Sequence, residues 1–338
     1  MQPDHTEREI TSQVDAWSDA HNAVVSAADA IKALWQRGPY DQIVVTGCGS
    51  THYLAKIAAH LLQVSTGVLA GAVPASELLL HPQAIYGRGK PLLVAISRSG
   101  ATSETIQAAQ AFKDRSDGDV IVISCYDDKP LNALATLNLV APAGQEISVA
   151  QTRSFSAMLV MAEGLAQSLD GAPVHPPQFS ENMHGWVREA RSLAAQYADI
   201  ERYQRVFYLG SGALYGLACE AMLKMKEMSL TSAEAFHTLE FRHGPMSMVD
   251  GETLIVGLLD GQNEAEMAVI EEMRALGATT VTLAPQAGDG VTTSLKHYHD
   301  RPSLVHYLPF AQWLAYERAI RKGLNPDAPR NLEQVVIL

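Results

Sequence analysis

The sequence predicts an α/β protein of two tandem, doubly wound parallel-sheet domains related by internal duplication. Three observations carry that reading. Short apolar, β-branched runs alternate with stretches of helical period. A glycine-rich turn follows the first such run in each half. The segment YDQIVVTGCGSTHYLAKIA (40–58) recurs as YQRVFYLGSGALYGLACEA (203–221) at a constant offset of 163, with Gly47 on Gly210, Gly49 on Gly212 and Ala55 on Ala218. A second run, LLVAISRSG (92–100), returns as TLIVGLLDG (253–261) at an offset of 161. Two unrelated strand–turn–helix units do not normally share a second strand at nearly the same spacing, so the repeat marks a duplication.

Taken in order, residues 1–37 form an N-terminal helical segment. Apolar positions at Ile10, Val14, Trp17, Val24, Val25, Ala28, Ile31 and Leu34 predict helix over 4–36, which Gly38 and Pro39 end. The first domain, 38–170, carries strands at IVVTG (43–47), LLVAIS (92–97), IVIS (121–124) and NLVAP (138–142). Helices follow the first strand to about Val64 and run from Ser103 to about Lys113. Residues 171–200, with Pro173, Pro176 and Pro177 before a helical stretch, form the connection. The second domain spans 201–324, and 325–338 form a tail that packs on either domain.

The 338 residues include 25 Lys and Arg against 37 Asp and Glu, a net charge of −12. That balance disfavours nucleic acid and anionic lipid as partners. A small anion stays compatible, because helix N-terminal amides bind anions whatever the global charge. Cys48, Cys125 and Cys219 form no CxxC pair, so neither a disulfide framework nor a zinc site is expected, and no metal. The charged N-terminus and the lack of a long apolar window predict a cytoplasmic protein away from membranes.

Three stretches carry candidate chemistry. Gly47-Cys48-Gly49-Ser50-Thr51 reads as a tight turn, either empty or cradling an anion. A dinucleotide fingerprint needs a third glycine where His52 stands and an acidic residue that 64–72 lack, so no nicotinamide cofactor is expected. In Ser97-Arg98-Ser99-Gly100-Ala101-Thr102 a strand runs into hydroxyls directly before a helix. An N-cap accounts for one hydroxyl, whereas three (Ser97, Ser99, Thr102) beside a helix N-terminus suit a phosphate. The duplicate LLDGQN (258–263) lacks the serines, so one phosphate site per chain is expected.

In the third stretch, Glu220, Lys224 and Glu227 fall within an arc of about 60° on a helix from Leu214 to Leu230 that, apart from Lys226, is otherwise largely apolar. They read either as a surface ion pair or as charged groups facing a cleft. His243, before Gly244 and Pro245, sits on a chain reversal, a suitable place for an acid–base group. His52 and His237 receive no role.

These residues resemble the sugar isomerase (SIS) domain proteins, most closely the double-SIS isomerase half of glucosamine-6-phosphate synthases. GCGST (47–51), ISRSGATSET (96–105), EISVAQTRSF (146–155), ALYGLACEAMLKMKE (213–227), AEAFHTLEFRHGP (233–245) and NPDAPRNL (325–332) carry the likeness over residues 8–338. The resemblance implies flavodoxin-like SIS domains acting on a hexose or hexosamine 6-phosphate without a cofactor. It implies that Thr51, Ser97, Arg98, Ser99 and Thr102 hold the phosphate. Gly49, Ser50, Val149, Gln151 and Gln334 fall at substrate-site positions. Glu227 corresponds to the base that moves a proton between C1 and C2, Glu220 and Lys224 to its partners, and His243 to the group that opens the ring. That histidine reaches into a neighbouring subunit in the family, which implies a homodimer.

Two departures shape the expected function. Gln2 stands where the synthases have a nucleophilic cysteine, so glutamine-dependent amination is not expected of this chain alone. Gln334, between Glu333 and Val335, aligns with the tail lysine that forms a Schiff base, and an amide forms no imine. Lys322 and Lys224 are the alternatives for that lysine. The expected function is a phosphosugar isomerase/deaminase of the glucosamine 6-phosphate type. Deglycation of fructosamine 6-phosphates and non-catalytic sugar-phosphate sensing are the other readings.

Overall fold

The computed structural model describes residues 5–171, 181–297 and 303–336, in which the strands build two five-stranded parallel sheets. The helices and strands of the first part of the chain are α1 (His5–Thr11), α2 (Gln13–Ser26), α3 (Ala28–Trp35), β1 (Gln42–Gly47), α4 (Ser50–Thr66), β2 (Ala70–Pro74), α5 (Ala75–Leu80), β3 (Pro91–Ile96), α6 (Ser103–Arg115), β4 (Asp119–Ser124), β5 (Leu137–Val140) and α7 (Arg153–Leu169). Those of the second part are α8 (Glu181–Tyr197), β6 (Arg205–Gly210), α9 (Ala213–Ser229), β7 (Ala233–Phe236), β8 (Thr253–Leu258), α10 (Glu264–Ala275), β9 (Thr279–Ala284), β10 (Thr293–Ser294) and α11 (Leu308–Arg321).

The first sheet has the order β2-β1-β3-β4-β5, and the second β7-β6-β8-β9-β10. Both are the doubly wound 2-1-3-4-5 arrangement, so the duplication read from the sequence is a duplication of topology. Central strands β3, β4 and β8 are buried at every residue, as parallel strands covered on both faces must be. Edge strands β2 and β10 are half-exposed, short and poor in large apolar residues, which is why periodicity alone did not reveal them. The turns superpose in kind as well: Gly49 has φ 57° and ψ −125°, and Gly212 φ 55° and ψ −128°.

The chain divides into two compact units whose boundaries cross the linear order. The first-sheet unit holds Ser12–Glu146, the segment from Arg153, and the tail from Glu333. The second-sheet unit holds α8 onward through Leu332, and with it the chain up to Thr11 and Ile147–Thr152. The N-terminal segment is therefore not one helix: it breaks at Ser12 and Ala27, and α1 belongs with α8 and α11, whereas α2 packs along α7. The tail likewise divides at Leu332 instead of packing on one domain. Pro173, Pro176 and Pro177 lie outside the described residues. All three cysteines are free thiols. Among the described residues no helix is long and apolar enough to cross a membrane, and no cluster of three metal-ligating side chains occurs.

Gly47 is fixed by crowding, since a Cβ there would lie 2.6 Å from Thr51 Oγ1 and 2.7 Å from its carbonyl oxygen. Gly210 meets the Leu214 carbonyl oxygen at 2.6 Å in the duplicate. A Gly47→Ala variant is expected to lose about 1–3 kcal/mol of stability through overpacking, seen as a lower urea midpoint; an unchanged midpoint would show that the turn yields freely.

Candidate active site

In the first-sheet unit, the glycine-rich turn and the hydroxyl loop leave the carboxyl ends of adjacent strands β1 and β3. That is the switch point where doubly wound sheets bind ligands. Gly100 adopts φ 63°, and a Cβ there would come within 2.8 Å of the Lys129 side chain, so only glycine lets the loop lie so close. Ser97 is buried, its hydroxyl 3.4 Å from that of Thr102. Thr102 is the N-cap residue of α6, yet its side chain makes no capping hydrogen bond. The Ser99 hydroxyl accepts from the Ala101 amide at 3.2 Å. The capping explanation for these hydroxyls is thus weakened, and the loop holds a cluster of small polar groups at a helix N-terminus.

Two of the expected phosphate ligands also have partners within the same unit. The Thr51 hydroxyl closes the glycine turn, accepting from the Cys48 amide and donating to the Cys48 carbonyl, both at 2.9 Å. Arg98 is 6 % exposed: one guanidinium nitrogen lies 3.6 Å from Glu146 Oε2, and another donates to the Gln334 carbonyl at 2.9 Å. Its charge therefore anchors the tail, because a buried guanidinium needs a carboxylate and full hydrogen bonding. The tail continues across the loop, with Val336 carbonyl accepting from the Ser103 amide at 3.3 Å. Gln334 meets the site region through its backbone, and its side-chain amide donates to the Glu146 carbonyl at 3.5 Å. Gly49 and buried Ser50 form the N-terminus of α4 in the same turn.

In the second-sheet unit, α9 carries the charged stripe inward. Lys224 is 1 % exposed and Glu220 2 %. Lys224 Nζ lies 3.3 Å from Glu220 Oε1 and donates to Glu227 Oε2. Burial pushes the ammonium towards its neutral form, but the two carboxylates outweigh it and the Lys224 pKa is raised. The surface-pair reading is therefore wrong, because both inner groups are buried. Glu227 retains 19 % side-chain exposure and lines a cavity of about 110 Å³ with Met228, Leu324, Asn325, Pro329 and Arg330 among its walls.

Neither alternative lysine is free for an imine. Lys224 is held in the triad, and Lys322 Nζ caps the end of α9, donating to the Ser229 carbonyl at 2.9 Å and the Thr231 hydroxyl at 2.7 Å. Burial, with Arg318 nearby, lowers the Lys322 pKa.

His243 is exposed at the end of a 3-10 turn (Glu240–Arg242), its amide donating to the Glu240 carbonyl at 2.9 Å. Val149 and Gln151 belong to this unit too, and Gln151 Oε1 is buried with no hydrogen-bond partner among the described residues. Sequence reasoning missed Arg330 and Asn325 in the Glu227 cavity, although both lie inside the NPDAPRNL motif. It also missed Glu146, the counter-ion of Arg98. His237, left without a role, stacks on Tyr215 with ring centroids 3.7 Å apart.

The family model for the SIS domain matches residues 39–168 and 199–307. The chain is 28 % identical to the glutamine–fructose-6-phosphate aminotransferase (isomerizing) of Pyrococcus horikoshii, covering 97 % of this chain and 57 % of that protein. It is 30 % identical to the enzyme of the same description from Xylella fastidiosa, covering 98 % and 58 %. The chain thus spans somewhat over half the length of the curated relatives it matches. Among solved structures, a glucosamine-6-phosphate deaminase from Thermotoga maritima superposes with TM-score 0.75 at 28 % identity, covering 95 % of this chain and all of that one. The tagatose-6-phosphate ketose/aldose isomerase of Escherichia coli reaches TM-score 0.82 at 23 % identity, covering 95 % and 94 %, a likeness of fold alone.

Removing the Lys224 ammonium leaves Glu220 buried without its counter-charge. Lys224→Met should cost about 3–5 kcal/mol, and adding Glu220→Gln should recover a large part of it; calorimetric unfolding of single and double variants reads this out, and additive losses would refute the coupling. His52, beside the glycine turn, has its pKa lowered to about 4 by burial and by Lys56. The unfolded chain then binds this proton more readily, so stability is full above the ordinary histidine value and falls as pH drops towards 4. The loss is expected to be on the order of 1–3 kcal/mol and to shrink in His52→Gln; denaturant titrations at pH 7 and 4.5 measure it, and equal losses in both proteins would exclude His52.

Proposed function

The chain belongs to the SIS domain family, and from that premise we propose that it is a phosphosugar isomerase/deaminase acting on a hexosamine 6-phosphate. The single observation that carries the reading is Glu227, a carboxylate opening on a small cavity while Lys224 and Glu220 are buried behind it. Lys224 orients Glu227 and balances its charge, so the carboxylate is presented to a substrate carbon in one geometry. Ser97, Ser99 and Thr102 at the start of α6 hold the phosphate, with Gly49, Ser50 and the turn closed by Thr51 beside them. Val149 and Gln151 line the sugar, the unsatisfied Gln151 oxygen accepting from a sugar hydroxyl.

In the proposed reaction His243 opens the ring of glucosamine 6-phosphate. Glu227 takes the proton from C2 and returns it to C1, converting the amino-aldehyde into the C2 imine of fructose 6-phosphate. Water adds to that imine and ammonia leaves, so one water is consumed for each ammonia released. The nitrogen arrives with the substrate, and the chemistry needs no lysine; residues 323–338 contain none. His243 acts in the site of a second copy, which makes the active form a homodimer. Its exposure, with exposed Leu239 and Met248 close by in sequence, supports that assignment.

A second reading, deglycation of fructosamine 6-phosphates, is favoured by the same missing lysine, since those substrates also bring their own nitrogen. Incubation with glucosamine 6-phosphate should yield equal amounts of ammonia and fructose 6-phosphate, and Glu227→Gln should lower kcat by about 10²–10⁴. Release of a free amino acid from a fructosamine 6-phosphate instead would identify the deglycase. Hexose 6-phosphate binding without turnover of either substrate would make the protein a sensor and reject the enzyme.

A further inference from the structure

The segment Ile147–Thr152 interrupts the first-sheet unit in sequence yet belongs to the second. It has no regular secondary structure: Ile147 is 66 % exposed, whereas Ser148, Ala150 and Thr152 are buried, so its buried backbone groups need partners from elsewhere in the chain. Three side chains or carbonyls from three different places supply those partners. Glu9 of α1 is 4 % exposed, and one of its oxygens accepts from the Ile147 amide at 2.6 Å and the Ser148 amide at 3.3 Å. Its other oxygen accepts from the Ser148 hydroxyl. The Asp327 main-chain carbonyl accepts from the Val149 amide at 3.1 Å, and Gln312 of α11 donates to the Thr152 carbonyl at 3.2 Å.

The same Asp327 ties α1 into the arrangement. Its carboxylate accepts from the Thr6 amide at 2.8 Å and the Thr6 hydroxyl at 2.7 Å. Asp327 sits within the stretch whose neighbours Leu324, Asn325, Ala328, Pro329 and Arg330 wall the Glu227 cavity. A continuous set of hydrogen bonds therefore runs from the wall of that cavity through Asp327 and α1 to the loop carrying Val149 and Gln151. A buried carboxylate accepting from two amides and a hydroxyl is a strong, directional anchor.

We infer that Glu9 is a positioning residue, holding the 147–152 loop so that Val149 and Gln151 face the sugar while Glu9 itself touches no substrate. The inference rests on the proposed sugar-site reading of those two residues and extends it to a helix outside both SIS repeats. Without Glu9 the Ile147 and Ser148 amides lose their acceptor, the loop samples other conformations, and substrate binding weakens while the chemistry at Glu227 continues.

The test compares the full chain with Glu9→Ala and Glu9→Gln by amide hydrogen exchange and by steady-state kinetics on glucosamine 6-phosphate. Exchange at residues 147–149 should rise about tenfold or more in Glu9→Ala, unchanged in α9 and α6. KM should rise about fivefold or more with kcat within about threefold, and Glu9→Gln, which keeps one oxygen acceptor, should recover part of both. Should Glu9→Ala fail to fold, Glu9→Gln carries the same criteria with smaller changes. Unchanged exchange at 147–149, or faster exchange with KM unmoved, overturns the inference. A wild-type protein without turnover defeats the proposed reaction instead, and loop exchange alone then decides whether Glu9 orders the segment.

Discussion

One buried ammonium organises the second half of this protein. Lys224 is 1 % exposed, in the interior of its unit, where an isolated cation is expensive by several kcal/mol. Glu220 and Glu227, one turn away on either side, offset that cost. Because the three groups share one helix face, they fix how α9 is rotated. Its methionines and alanines meet the core, and Glu227, the most exposed member of the triad, lines a cavity. The geometry of the proposed base is thus a consequence of charge burial.

The two sheets show how one backbone supports different chemistry. Turn glycines Gly49 and Gly212 have the same dihedrals, and both strand orders agree. In the first unit the turn meets α6 through Cys48 Sγ and the Thr105 hydroxyl, 3.5 Å apart. At the position matching Thr105 the second unit has Glu266, whose carboxyl is pushed up by burial, partly offset by a hydrogen bond from Ser211. A crevice that holds its own buried carboxylate is a poor host for a phosphate dianion, since like charges in a low-dielectric setting repel strongly. The loss of serines in 258–263 and the gain of Glu266 point the same way.

Much of the fold was legible because parallel strands buried on both faces leave long apolar runs, and β1, β3, β4, β6 and β8 all do so. Of the edge strands, β5 was legible as NLVAP, whereas β2 and β10 were not, since AGAVP and TS carry little large apolar signal. The charged stripe on α9 could be placed on one face from spacing alone. Whether that face met water or protein depended on α11 and on the chain beyond it, which helical periodicity does not report. Arg98 shows the same limit. Its place in the loop suggested a phosphate, and only the fold shows that Glu146 and the Gln334 carbonyl, distant in sequence, also contact its guanidinium.

The sequence by itself determined the duplicated α/β architecture, the hydroxyl-rich loop before α6 and the grouping of Glu220, Lys224 and Glu227, because each is a local pattern of spacing and residue type. Only the tertiary structure decided that α1 and residues 147–152 join the second sheet, that the last turn of tail joins the first, and that Glu9 and Asp327 brace the loop bearing Gln151. Those outcomes depend on which distant donor finds which acceptor, and hydrogen bonds between segments far apart in sequence leave no periodic trace in the chain.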